Sequence, residues 1–307
     1  MIFSIYKKNN EFYEFIFFLK KIKTRDILVT MQIITRNRIL IAILLTIIFV
    51  ILLWRSNIIY YLTQREGLNE QMKLRLFVIN MDKDKTRLDK IMKYYQNSDL
   101  SQEPITRFPA VVGKKVPPEK YLTSDALSEM HLIEKNGYRT HHYSITRGGL
   151  GCFLSHYNLA KQLLEDKRDI DGYLIFEDDT RILPNTYEQI RQYLKTVPEN
   201  WDMALFYTIR AVGRNENEKF NKIKSFWGMN CYIINRKGAR KFVNEVNESK
   251  IDGQVDCYLS RMIQQDKMNV YSTKKHVVSS NSTDTNIQII LKPKKGIDPY
   301  DYKGYKV

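Results

Sequence analysis

The chain has 307 residues, of which 43% are hydrophobic and 12% aromatic, and a formal charge of +15. That much apolar material excludes a disordered chain. Three cysteines in this length exclude a disulfide scaffold, and a mean hydropathy of −0.41 excludes a multi-span membrane protein.

The basic balance leaves nucleic acid, a membrane surface and an acidic substrate as partner classes. No run of five or six like charges occurs, and Lys-rich composition accounts for part of the excess. The first 38 residues hold eight basic and three acidic residues, and 39–54 hold none. Ile39 to Trp54 reads ILIAILLTIIFVILLW. As a helix it would span roughly 24 Å, and Arg38, Arg55 and Trp54 could anchor its ends near a bilayer of roughly 30 Å. It is therefore expected to be a single transmembrane signal anchor. Arg36 and Arg38 before it predict a cytosolic N-terminal segment, 1–38, and a type II protein with a lumenal domain in a eukaryotic or virus-infected cell. Met31 opens a shorter version, so 1–30 are expected to precede the natural start. Residues 55–72 read as a stem.

From there, strands and helices alternate. RLFVIN, Arg75–Asn80, is a strand. Leu88, Ile91, Met92 and Tyr95 then mark a helix, with Asp84 as its N-cap. A loop-rich stretch covers 97–147, and a helix follows over about 152–166. Tyr173–Phe176 is a buried strand, Thr186–Val197 a helix, Met203–Tyr207 and Asn230–Asn235 strands. Lys237–Val246 and Val255–Gln265 are helices, and Val270-Tyr271 a short strand. The alternation predicts one α/β domain over 73–307 with a largely parallel sheet.

The sharpest chemical feature is YLIFEDDTRI, where an apolar strand runs into Glu177, Asp178 and Asp179. Ligand sites in open α/β sheets lie beyond the carboxyl ends of strands, and three adjacent acids call for a cation. Oxygen ligands of this kind suit Mn²⁺ or Mg²⁺ with a diphosphate. A solvated acidic turn is the competing reading. Gly148, Gly149 and Gly151 precede a helix whose backbone N–H groups could meet phosphate, with a plain tight turn as the alternative. His156 is a lone histidine in that helix. Cys152, Cys231 and Cys257 are far apart and read as buried thiols, with one disulfide left open.

In order along the chain these segments resemble glycosyltransferase family 25, which groups bacterial lipopolysaccharide and collagen hydroxylysine galactosyltransferases. The matching phrases are VINMDKDKTRLDKI (78–91), RFPAVVGKK (107–115), Gly151-Cys152-Phe-Leu-Ser155-His156, Glu177-Asp178-Asp179, GMNCYIINRKGARKF (228–242), QVDCYL with Asp256, and SSNSTDTNI (279–287) with Asp284. The resemblance implies a GT-A type, Rossmann-like nucleotide-sugar-binding fold, a UDP-sugar donor, a divalent cation and inverting transfer. It implies metal or diphosphate contact by Glu177 and Asp179, and nucleotide contact by Asn80, Arg87 and Asp178. Asp256 is implied as the base on the acceptor hydroxyl with Asp284 in reserve, and His156 as a donor-positioning residue. The acceptor is a glycan, a lipopolysaccharide or a collagen-like protein, and the E-D-D-x-R wording leans to the collagen type. No nucleic-acid partner is expected. The family often has Asp at Val112 and Glu at Gly149, and usually a Gln near Asn281. The missing acid at 149 leaves a catalytically inactive, membrane-anchored sugar-nucleotide or glycan-binding protein as the alternative.

Overall fold

The computed structural model describes residues 72–280 and, ahead of them, helical residues 40–41, 43–55 and a few isolated helical positions. Met31, Asp284, Asn281 and most of the expected stem lie outside the described residues. Residues Met1–Glu70 and Gln71–Val307 form two separate units.

The membrane span expected over 39–54 is corrected. Among the described residues, no helix is long and apolar enough to cross a membrane.

The second unit is built on an eight-stranded sheet in the order β2-β1-β3-β8-β5-β9-β7-β6. Its strands are β1 (Leu74–Asn80), β2 (Ile105–Pro109), β3 (Gly172–Glu177), β5 (Met203–Tyr207), β6 (Arg210–Asn215), β7 (Phe220–Trp227), β8 (Cys231–Asn235) and β9 (Val270–Thr273). A separate antiparallel pair joins β4 (Thr180–Arg181) to β10 (Ser279–Ser280). The helices are α1 (Lys85–Gln96), α2 (Ser124–Asn136), α3 (Arg147–Glu165), α4 (Thr186–Leu194), α5 (Arg236–Ser249) and α6 (Val255–Gln264).

The class is α/β, but the sheet is mixed rather than largely parallel. β1 runs parallel to β2 and β3, and β5 to β9. β8 runs antiparallel to both β3 and β5, and β7 to both β6 and β9. For β6 and β7 the cause is connection length. The β6–β7 turn is too short for a helical crossover, which needs a dozen or more residues.

Strand alternation builds two cores, one on each face. Phe77, Ile79, Tyr173, Ile175, Leu205 and Tyr232 face α2, α3, α5 and α6. Leu76, Val78, Leu174, Phe176, Phe206 and Ile233 face α1 and α4. Successive residues of the central strands thus serve opposite cores, which is why those strands read as continuous apolar runs.

The chain goes from β1 to β2 on one side and returns to β3 on the other. The carboxyl ends of β1 and β3 therefore lie side by side, with Ile79 paired to Glu177. This is a switch point of the kind where open α/β sheets leave a crevice.

Candidate active site

That crevice is a cleft of about 390 Å³. Its floor is the end of β1 (Ile79, Asn80), and its acidic wall is Glu177, Asp178 and Asp179 after β3. Arg87 of α1 projects into it, as do Cys152, Ser155 and His156 of α3 and the segment Ala110–Lys114 after β2.

Two glycines bring α3 against that segment. A Cβ on Gly151 would stand 2.4 Å from the Val111 carbonyl oxygen, and one on Gly113 would stand 1.8 Å from the Arg147 carbonyl oxygen. Ser155 completes the clamp: its Oγ accepts from the Val111 N–H at 2.9 Å and donates to the Gly151 carbonyl at 2.7 Å. Gly148, Gly149 and Gly151 thus sit inside the first turns of α3, not in a loop before it. The Gly149 N–H is capped by Thr146 Oγ1 at 3.0 Å.

The acids are individually held. Asp178 accepts from Asn80 Nδ2 at 2.7 Å and pairs with Arg87 at 2.6 Å. Asp179 accepts from Asn230 Nδ2 at 2.5 Å and lies 3.5 Å from the Arg87 guanidinium. Asn80 is itself aimed by Arg107, whose Nε donates to its Oδ1 at 3.0 Å. His156 is buried and its ring bridges two partners, with Nε2 3.2 Å from Glu177 Oε1 and Nδ1 2.8 Å from the Tyr232 hydroxyl.

Burial and crowding shift these groups. Burial, followed by the charge of Glu177, pushes Asp179 up to about 6. Burial also raises Asp178, while Asn80 and Arg87 pull it back. The Cys152 thiol is pushed well up by burial and then by the charges of Glu177, Asp256, Asp179 and Asp178. A site that resists its own negative charge and presents carboxylate oxygens fits a hard divalent cation such as Mn²⁺ or Mg²⁺. Glu177, Asp178 and Asp179 are the residues that would hold it.

Asn80, Arg87, His156, Glu177, Asp178 and Asp179 converge in this one cleft. Asp256 is not among its lining residues. It sits in the first turn of α6, where its carboxylate accepts from the Gly228 N–H at 3.0 Å and the Cys257 N–H at 2.8 Å. It is nonetheless near enough to act on the Cys152 thiol. Asp284 lies outside the described residues, but the phrase that holds it starts at β10, paired to Thr180 and Arg181 directly after the acids.

Sequence reasoning passed over three residues that orient others: Arg107, Asn230 and Tyr232. Asn230 and Tyr232 lie in the GMNCYIINRKGARKF phrase and Arg107 in RFPAVVGKK, so the phrases carried the signal without the roles. All three cysteines are free thiols.

A model of Glycosyltransferase family 25 (LPS biosynthesis protein) matches residues 73–259. A Drosophila melanogaster "Glycosyltransferase 25 family member" is 29% identical over 196 residues, covering 60% of this chain and 30% of the fly protein. Human "Procollagen galactosyltransferase 2" is 29% identical over 184 residues, covering 55% of this chain and 27% of the human protein. The chain thus spans less than a third of these relatives. The glycosyltransferase GlyE of Streptococcus pneumoniae aligns over 66% of this chain and 45% of its own at 11% identity, with a TM-score of 0.34, too low for any structural argument.

Proposed function

The chain belongs to glycosyltransferase family 25, and we propose that it transfers a hexose, galactose in the first instance, from a UDP-sugar to a glycan or hydroxylysine-type acceptor. The transfer is inverting and depends on a divalent cation. The observation that carries this reading is the convergence of Glu177, Asp178 and Asp179 with Arg87 and Asn80 in the crevice beyond β1 and β3. The procollagen galactosyltransferase relatives support the choice of galactose.

Breaking a sugar–phosphate bond leaves negative charge on the departing diphosphate. A divalent cation held by the carboxylates supplies charge neutralisation there. The chain's own residues do the rest. Asn230 and Arg87 hold the Asp179 carboxylate toward the cleft, and Arg107 through Asn80 does the same for Asp178. His156 fixes Glu177 and is a positioning residue. Inversion needs a base at the acceptor hydroxyl. Asp256 is the candidate: two backbone N–H groups take about half of the four acceptor sites of its carboxylate and fix its plane, leaving the rest for a substrate proton.

The test is UDP release by the purified full chain from UDP-galactose and other UDP-sugars, with Mn²⁺ and with chelator. Mn²⁺-dependent release is expected, and Asp179→Asn should abolish it while the far-UV spectrum stays unchanged. Release by no UDP-sugar, or wild-type turnover in Asp179→Asn, defeats the reading.

One residue favours a second reading, a binding protein without turnover. At 149 the family's frequent Glu is replaced by Gly, and a side chain there would meet Ile145, Thr146 and Gln254. UDP binding with Mn²⁺ but no release from any UDP-sugar would select it, and gain of turnover in Gly149→Glu would show why.

A further inference from the structure

We propose that Cys152, His156 and Glu177 form a second cation site on the inner wall of the cleft, selective for a thiophilic divalent ion of the zinc class. The Cys152 Sγ, a His156 ring nitrogen and a Glu177 carboxylate oxygen all lie within 4.8 Å of one another. Cys152 and His156 are four residues apart on α3, so their side chains share one helix face.

The spacing is already that of a chelate. His156 Nε2 and Glu177 Oε1 are 3.2 Å apart. Two ligands each about 2.0–2.1 Å from a tetrahedral zinc ion stand roughly 3.3–3.4 Å from one another. The outer shell is present too: Nδ1 lies 2.8 Å from the buried Tyr232 hydroxyl. Metal-bound imidazoles are oriented by such a partner at the other ring nitrogen. With an ion bound, Nδ1–H donates to the Tyr232 oxygen and Nε2 presents its lone pair. All three ligands line the cleft, which leaves the fourth position open to it.

The donor types separate this site from the neighbouring acids. Thiolate and imidazole select zinc-like ions, whereas carboxylate oxygens alone suit Mn²⁺ and Mg²⁺. Glu177 borders both, so a thiophilic ion draws on a carboxylate that the transferase reading needs. Binding converts the Cys152 thiol to a thiolate and releases its proton to solvent.

Cobalt(II) is the probe, because it reports thiolate ligation optically and no sugar nucleotide is needed. The chelator-treated full chain is titrated with Co²⁺. The expected result is a near-ultraviolet thiolate-to-cobalt charge-transfer band that saturates at about one equivalent and is bleached by Zn²⁺. Cys152→Ser should abolish that band with the near-ultraviolet circular dichroism of the fold retained. His156→Ala should weaken binding at least tenfold, and Cys257→Ser should leave the band in place. No band in wild type, or a band that survives Cys152→Ser, overturns the site. The cobalt spectrum is independent of Mn²⁺-dependent turnover, so either idea can fail alone.

Discussion

At the residue scale the decisive group is Asp179. Its pKa is lifted from 3.8 to about 6 by burial and by Glu177. The sign of the consequence follows from linkage. The fold favours the neutral acid, so this group stabilises the native state below about pH 4. That contribution is lost as the pH rises from about 4 to about 6. At neutral pH the ionised Asp179 therefore costs on the order of 3 kcal/mol at about 1.36 kcal/mol per unit. Asp179→Asn should raise the melting temperature at pH 7.5 and leave it unchanged at pH 3.5, read by thermal denaturation at both values. Cation binding should run the opposite way: the affinity of the sugar-nucleotide-free chain for Mn²⁺ should decline as the pH falls through about 6, because the ion must then displace a proton from Asp179. A melting temperature equally shifted at both pH values would remove the charge argument and leave only packing.

Elements explain how the cleft keeps its shape, and the glycines of α3 separate packing from propensity. Gly151→Ala should destabilise by about 1–3 kcal/mol and weaken any ligand of the cleft, because its Cβ meets the Val111 carbonyl, which cannot move without shifting the segment clamped by Ser155. Gly149→Ala, two residues earlier, meets nothing nearer than the Ile145 side chain at 3.3 Å. It should be neutral or gain up to about 1 kcal/mol of helix propensity. Urea melts of the two variants give the comparison, and equal losses would sink it. The same scale shows what could be read from sequence. β1, β3, β5 and β8 were legible because strands buried on both faces leave unbroken apolar runs. β7 was not, since Phe220 serves one core while Ile223 and Phe226, three residues apart, both serve the other, a change of parity that matches the register shift between Ile223 and Ser225 opposite Gly213 and Val212. β6 was hidden by its exposed, polar composition. α2 was missed inside the apparent loop because only Ala126, Met130 and Ile133 are buried on it. Its signals were the Thr123 cap and the left-handed Gly137 at its end. The acids of the site were visible as a triplet at a strand end, but the residues that aim them come from remote parts of the chain and needed the fold.

For the molecule as a whole, the net charge of +15 is a poor guide to the ligand, because the site itself gathers acids. What matters is that the cleft sits at the ends of β1 and β3, whose side chains supply both cores. An ion held by Glu177, Asp178 and Asp179 should therefore stabilise the whole sheet, not only the loop that carries them. Binding to the native state alone contributes RT ln(1 + [L]/Kd), about 2.7 kcal/mol at a hundredfold excess over Kd. For a domain of this size each kcal/mol moves the melting temperature by roughly 2–4 °C. Excess Mn²⁺ should thus raise the melting temperature of the full chain by roughly 5–10 °C over the chelated protein. Tyrosine and tryptophan signals from the two faces should shift together, since they share the central strands. Asp179→Asn should show little of this gain, while Arg87→Gln, which frees the same carboxylates from their ion pair, should show more of it. A melting temperature indifferent to Mn²⁺ in the wild type and in both variants would leave the three acids as a charged wall without a cation, and the transferase reading would lose its cofactor.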